Sequence, residues 1–298
     1  MTLAELGEDR LLARIAPLLP LNQAVISGAG DDCAIVQAPS HGKVLVLKTD
    51  CVVEGIHFRS DAKPAEVGWK AMARPLSDFA AAAASPEFAL VTILAPASTT
   101  VAWLTGMYRG LTKAAQRFGV AVIGGETSAT VGPRAISVSI SGSAATNAWV
   151  GRSEGQPNDD LFVTGTLGGS IRGKHLRFTP RIAESNWLTK HFRIHAMMDL
   201  SDGLGADLPR LAHASEVGFE LDEATIPLTR GCTVEQAISD GEDYELLFAL
   251  ARRDSEQLRA KWRRQFPKLR LTRIGRFIPG SAFRVPQSFR GYVHFEKP

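Results

Sequence analysis

The sequence predicts a two-domain α/β protein with mixed α+β sheets, and three observations predict it. Apolar runs of strand length alternate with amphipathic stretches of helical period along most of the chain. A polar stretch rich in Gly, Pro and Asn, Thr146 to Asp160, reads as a linker and splits the chain into residues 1–146 and 147–298. In both halves, strands end in acidic or glycine-rich loops. With 298 residues, 45% of them hydrophobic, the chain is long enough to bury a sizeable core in each half.

The elements follow in order. Thr2-Leu3-Ala4-Glu5 has capping-box spacing, and Leu3, Leu6, Leu11, Leu12, Ile15 and Leu19 recur at helical intervals. They predict one opening helix of about four turns, ended near Pro17 or Pro20. The turn Gly28-Ala29-Gly30-Asp31-Asp32-Cys33-Ala34 precedes a buried strand, Val44–Leu47, that delivers Thr49 and Asp50. A helix from Ala65 carries Val67, Trp69, Met72 and Leu76, with Pro75 interrupting it just before Ser77-Asp78. Phe88–Leu94 alternates as a strand. Ser98 or Thr99 then caps a helix over Val101–Phe118 that stops at Gly119. Val120–Ile123 reads as a buried strand running into Gly124-Gly125-Glu126, and Ile136, Val138 and Ile140 as a strand with one buried face.

The second half opens on the strand Leu161–Val163 and the loop Gly165-Thr166-Leu167-Gly168-Gly169. A helix over Arg181–Lys190 and a short strand ending at Asp199-Leu200-Ser201-Asp202-Gly203 come next. A helix near Leu204–His213, a strand at Phe219–Leu221 and a short helix near Val234–Ile238 lead to Gly241-Glu242-Asp243-Tyr244. The strand Glu245–Leu250, an amphipathic helix Arg252–Phe266 and the strand Leu269–Phe277 complete the half.

Bulk properties exclude several classes. Lys and Arg total 34 against 31 Asp and Glu, an excess too small to argue for nucleic acid. The densest basic cluster, Lys261-Trp262-Arg263-Arg264, reads as the solvated face of a helix. No apolar run approaches the ~18 residues of a membrane span, and Met1–Arg10 has no signal-peptide core. Cys33, Cys51 and Cys232 have neither metal-ligand nor disulfide spacing and suit a reducing compartment. A cytoplasmic soluble protein is expected.

Chemistry concentrates in acids at element ends: Asp31/Asp32, Asp50, Asp78, Glu126, Asp199/Asp202 and Glu242/Asp243. Any one of them could simply cap a loop. Apolar segments precede most of them, however, and carboxylates brought together there would repel strongly without cations. Two or more Mg²⁺ ions would relieve that repulsion and neutralise a polyphosphate, as phosphoryl transfer between anionic partners requires. The loops at Gly124-Gly125 and Gly165–Gly169 could cradle phosphates but fit neither nucleotide-loop fingerprint, and alone they read as turns. No Ser/His/Asp order, HExxH or CxxC pattern is present.

Gly30-Asp31-Asp32-Cys33-Ala34, Thr49-Asp50, Gly55-x-His57-Phe58, Leu76-Ser77-Asp78, Ile123-Gly124-Gly125-Glu126, Asp199-Leu200-Ser201-Asp202-Gly203-Leu204 and Gly241-Glu242-Asp243-Tyr244-Glu245-Leu246 stand in order along nearly the whole chain. In these motifs the sequence resembles the thiamine-monophosphate kinases of the aminoimidazole-ribonucleotide-synthetase-like ATP-binding superfamily. The resemblance implies a two-domain fold of that superfamily. Its N-terminal domain pairs through its sheet into a homodimer, and its C-terminal domain closes over the nucleotide. It implies ATP-dependent, Mg²⁺-assisted conversion of thiamine monophosphate to thiamine diphosphate. By motif match, Asp32, Thr49, Asp50, Asp78, Glu126, Asp199 and Asp202 are implied metal ligands, with Asp50, Asp78 and Asp202 at the reaction centre. Tyr108, Gly125, Glu126, Arg152 and Ser201 are implied ATP contacts, and His57, Glu242 and Phe289 are implied substrate contacts.

Some positions depart from the family pattern. Glu126 stands for an Asp, Lys48 for a small hydroxyl residue, and Pro75 for an Asn, while the segment between Gly168 and His175 is short. Lys48 either substitutes for one metal's charge or points away. These departures keep two alternatives in view: a related ATP-dependent enzyme acting on another small phosphorylated metabolite, and a nucleotide-binding homologue without turnover.

Overall fold

The computed structural model describes residues 3–6, 8–38, 41–280 and 283–284. Two short helices open the chain, α1 (Leu3–Leu6) and α2 (Glu8–Ile15), where the leucine spacing predicts one. A single 3-10 turn at Ala16–Leu18 follows, with Pro17 in its first turn.

The first sheet uses β1 (Val25–Ser27), β2 (Ala34–Gln37) and β3 (Lys43–Val53). After α3 (Pro64–Ala81) come β4 (Ser85–Ala95), α4 (Val101–Arg117), β5 (Ala121–Ala129) and β6 (Ala135–Ala145). The strand order is β1-β2-β3-β6-β4-β5, with β4 and β5 parallel and the other pairs antiparallel. Val44, Val46, Val52, Ala89, Val91, Ile93, Ile136, Val138 and Ile140 fill one face, where α3 and α4 supply Val67, Met72, Leu76, Met107 and Leu111. The opposite face is open. Its cross-strand rows read Leu47–Ser141–Phe88, Thr49–Ser139–Leu90–Gly124 and Cys51–Ser137–Thr92–Glu126.

Three expectations are corrected here. Helix α3 does not break at Pro75. Buried residues on both sides of the proline, from Val67 to Ala81, supply enough packing to outweigh the ~3 kcal/mol that an interior proline costs. The cap of α4 is Thr100, which accepts from the Trp103 N–H at 3.2 Å, rather than Ser98 or Thr99. Strand β5 is an exposed edge, not a buried strand, because the sheet order leaves only β4 beside it.

The second half holds β7 (Asp159–Thr164), α5 (Ile182–His191), β8 (Ile194–Asp199), α6 (Leu204–Ala214) and β9 (Gly218–Leu221). Then come α7 (Val234–Ser239), β10 (Leu246–Ala251), α8 (Ser255–Gln265), β11 (Leu271–Ile278) and β12 (Phe283–Arg284). The sheet order is β12-β9-β11-β7-β10-β8. Strand β10, central between β7 and β8 and buried along nearly its whole length, reads as a continuous apolar run, Leu246 to Ala251. The cluster Lys261–Arg264 lies as expected on α8, with its basic side chains exposed and Trp262 inward. The connection through Thr146–Asn158 is not a free tether. Val150 is buried, the Gly151 carbonyl accepts from Met197 N–H, and the Arg152 carbonyl accepts from Ser215 Oγ at 2.6 Å. The short segment after Gly168 forms two 3-10 turns, Ser170–Arg172 and Lys174–Leu176. No helix among the described residues is long and apolar enough to cross a membrane.

Helices α3 and α4 touch backbone to backbone. A Cβ on Gly68 would lie 1.8 Å from the Met107 carbonyl oxygen, and one on Gly110 would lie 1.8 Å from that of Ala65. Gly68→Ala must therefore push the helices apart. It should lower unfolding stability by about 1–3 kcal/mol, read as a drop in chemical-denaturation midpoint.

Candidate active site

Helix α3 carries the functional side chains of the first half, because its buried stripe fixes which residues face β3 and the second half. Ser77 and Asp78 lie on its last turns, and both are buried. On β3, side chains alternate between faces. Lys48 and Asp50 project toward α3 on the side of Val46 and Val52, while Thr49 and Cys51 project to the open face. Asp199 ends β8, and Asp32 follows the Gly28–Gly30 turn.

These elements bring Asp32, Asp78 and Asp199 together. One carboxylate oxygen from each lies within 4.8 Å of the other two, and all three residues are buried. Arg152 holds Asp32 with a two-pronged contact at 3.0 and 2.7 Å. Lys48 Nζ lies 2.6 Å from Asp78 and 4.0 Å from Asp50. Arg74 reaches Asp50 at 3.5 Å and donates to the Cys51 carbonyl at 2.8 Å. Burial, with Asp32 next, raises the Asp199 carboxyl to about 7, although Ser77 donates a hydrogen bond to it. Burial likewise raises Asp78 in spite of Lys48. Asp50 is held low: burial opposes its charge, and Lys48 and Arg74 overcome that. The oxygen donors and the surplus of buried negative charge fit a hard divalent cation such as Mg²⁺.

A cavity adjoins this cluster, lined by His57, Arg74, Ser201, Asp202, Glu242 and Tyr244 among others. The sequence offers no warning of the buried lysine behind it. Lys70 Nζ, with the whole residue 0% exposed, donates to Glu242 Oε1 and to the His57 carbonyl, each at 2.6 Å. Burial lowers its ammonium to about 8 even though Glu242 opposes the shift. Tyr244 donates to the same Glu242 oxygen at 3.3 Å and stacks on Phe178, with ring centroids 3.9 Å apart. The N–H of Val53 donates to His57 Nδ1 at 3.1 Å.

The remaining predicted residues have other immediate partners. Asp202 pairs with Arg210, which also contacts the buried Asp207. Ser201 accepts the Glu242 N–H through its carbonyl at 2.6 Å. Thr49 accepts from Ser139 Oγ at 3.0 Å on the open face. Glu126 shares that face and accepts from Ser128 Oγ at 3.0 Å. Three strand spacings, about 14 Å, separate it from β3. Within one chain, Thr49 and Glu126 therefore do not join the three-aspartate cluster. Gly125 permits close pairing with β4, where a Cβ would meet the Val91 carbonyl oxygen at 1.8 Å. Tyr108 is half-buried on α4 against the first core. Phe289 lies outside the described residues.

Arg74, Lys70, Asp207 and Arg210 were missed because each reads as an ordinary charged helix residue. So was Arg181 beside the Gly165–Gly169 loop, which grips Glu245 of the Gly241–Leu246 motif at 2.7 Å through two nitrogens. There Asp243 accepts from Gly168 N–H at 2.9 Å.

Two α/β sheet domains meeting at an acidic cluster define the class. Residues 30–145 match the family AIR synthase related protein, N-terminal domain, and residues 122–286 match AIR synthase related protein, C-terminal domain. The chain is 39% identical to the thiamine-monophosphate kinase of Rhodopirellula baltica over 246 residues, 76% of this chain and 77% of that one. With that of Aquifex aeolicus it shares 32% identity over 99% of this chain and 100% of the other. A solved structure described as AaThiL complexed with AMPPCP and TMP superposes with a TM-score of 0.85, at 31% identity and 99% coverage of both chains. The chain belongs to the thiamine-monophosphate kinase family.

Burial, opposed by Lys174, raises the Asp243 carboxyl to about 6 from an ordinary 3.8. A raised carboxylate adds stability below its unfolded value and loses it as pH rises through the folded one. Asp243→Asn cannot ionise, so its stability relative to wild type should improve by about 1–3 kcal/mol between pH 4 and pH 8. Urea melts at both pH values check this.

Proposed function

We propose that the chain transfers the γ-phosphoryl group of ATP to the phosphate of thiamine monophosphate, giving thiamine diphosphate and ADP. The observation that carries this reading is the buried convergence of Asp32, Asp78 and Asp199 beside the cavity of His57 and Glu242. It stands in a chain 31% identical to a protein described in complex with AMPPCP and TMP. Mg²⁺ held by Asp32, Asp78 and Asp199, with Asp50 beside them, would supply charge neutralisation between the two phosphate partners. The attacking phosphate oxygen is largely ionised near neutral pH, so the carboxylates need not take a proton. Glu242 offers negative charge to the cationic thiamine ring, with its orientation held by Lys70 and Tyr244. His57, Asp202 and Ser201 line the same cavity. Arg152 and Tyr108 are assigned to the nucleotide, and Phe289 to the substrate. The domain boundary at 146/147 and a cytoplasmic location belong to the same proposal.

A second copy of the chain completes this reading. Leu47, Phe88, Leu90 and Leu94 are 38–49% exposed on the open face of the first sheet. They alternate there with hydroxyl residues, and pairing two such faces would bury them. Thr49, Gly125 and Glu126 would then stand at the subunit boundary, and their roles toward metal and ATP depend on that pairing.

Two measurements follow. Purified protein with ATP, Mg²⁺ and thiamine monophosphate should release thiamine diphosphate, and Asp78→Asn should lower kcat/KM by roughly 10²-fold or more. ATP binding with no product at high enzyme concentration would sink the kinase reading. Leu90→Asp should halve the mass measured by light scattering while leaving the far-ultraviolet circular dichroism unchanged, whereas an unchanged mass would reject this interface.

A further inference from the structure

One side chain in the acidic cluster has no place in the metal-holding scheme above. Lys48 lies on β3 with its side chain on the α3 face, in the layer between sheet and helix and only 23% exposed. Its ammonium lies 2.6 Å from Asp78 and 4.0 Å from Asp50, on the flank of two carboxyl groups that also hydrogen-bond each other. A divalent cation between those carboxylates would need oxygen contacts of about 2.0–2.1 Å if it were Mg²⁺. The ammonium already supplies a cation beside that pair. The oxygens of Asp32, Asp78 and Asp199 that lie within 4.8 Å of one another leave a different position open.

We propose that Lys48 is a tethered replacement for one divalent cation, so that this cluster takes one metal ion fewer than it would with a small neutral residue at position 48. The inference rests on the reading of the cluster as metal-holding. The chemistry of the two cations differs in a way that matters. An ammonium neutralises one carboxylate charge and donates up to three hydrogen bonds, but it carries a single charge and has no coordination shell into which a phosphate oxygen can enter as a ligand. Lys48 therefore serves the Asp50–Asp78 pair as a fixed charge and leaves metal-mediated contact with phosphate to the Asp32–Asp78–Asp199 position. Part of the site is held together without free metal.

The test counts metal directly. Full-length wild type, Lys48→Ser, Lys48→Arg and Asp199→Asn are titrated with Mn²⁺ in the presence of AMPPCP, and bound metal is counted from the loss of the free Mn²⁺ resonance signal. Lys48→Ser should bind one more Mn²⁺ per chain than wild type, and Lys48→Arg, which keeps the charge, should match wild type. In metal-free buffer Lys48→Ser should melt below wild type, and millimolar Mg²⁺ should close most of that gap. Equal Mn²⁺ counts in Lys48→Ser and wild type overturn the proposal, as does a melting deficit that Mg²⁺ leaves unchanged. Should wild type take up no Mn²⁺, with Asp199→Asn identical to it, the metal-holding reading itself fails and this inference fails with it.

Discussion

Carboxylates taken out of water repel one another and lose their hydration, so a fold that gathers them must return charge to them from nearby elements. That constraint organises this molecule. Asp32 receives Arg152, Asp50 and Asp78 share Lys48 and Arg74, Glu242 receives the buried Lys70, and Glu245 receives Arg181 and Lys174. Most of these cations come from a different element than the acid they serve. Pairing therefore ties the chain together at the same points where it concentrates negative charge. Asp199 is the instructive member, since Ser77 gives it a hydrogen bond but burial and Asp32 still raise it to about 7. A group in that state gains from a cation supplied by solution.

Much of the site is legible in the sequence, for a simple reason. Asp32, Asp50, Asp78 and Asp199 each stand against an apolar segment, and an acid in that position is either a loop cap or part of a buried centre. The alternation of strand side chains was equally available and limits what can converge. Thr49 and Asp50 are consecutive on β3, so their side chains must leave opposite faces of the sheet. A ligand set containing both side chains conflicts with the pleat unless something reaches the open face.

What stayed hidden depends on long-range order. Val120–Ile123 is apolar enough for a buried strand, but its exposure follows from being last in β1-β2-β3-β6-β4-β5, which no local window reports. Pro75 signals a break, yet α3 continues because the packing on either side of it belongs to the whole domain. Lys70 sits in a run of Trp69, Ala71 and Met72, where nothing distinguishes a snorkelling surface lysine from a buried one. Its role becomes visible only when Glu242, 172 residues later, is found against it.

Helix α3 is where these threads join. Trp69 donates to the Phe178 carbonyl at 2.7 Å, Lys70 reaches Glu242, and Ser77 donates to Asp199, so one helix holds two loops and the end of β8 in the second half. The same helix is locked against α4 through Gly68 and against β3 through Arg74 and Asp78. The cavity of His57 and Glu242 and the three-aspartate cluster are thus positioned by one rigid body rather than by two domains meeting loosely. A shift of α3 would carry Asp78 with it and disturb Glu242 through Lys70 and Asp199 through Ser77. In the proposed reaction that shared support would keep the cavity and the cluster in register, since alignment of attacking and leaving oxygens tolerates little error.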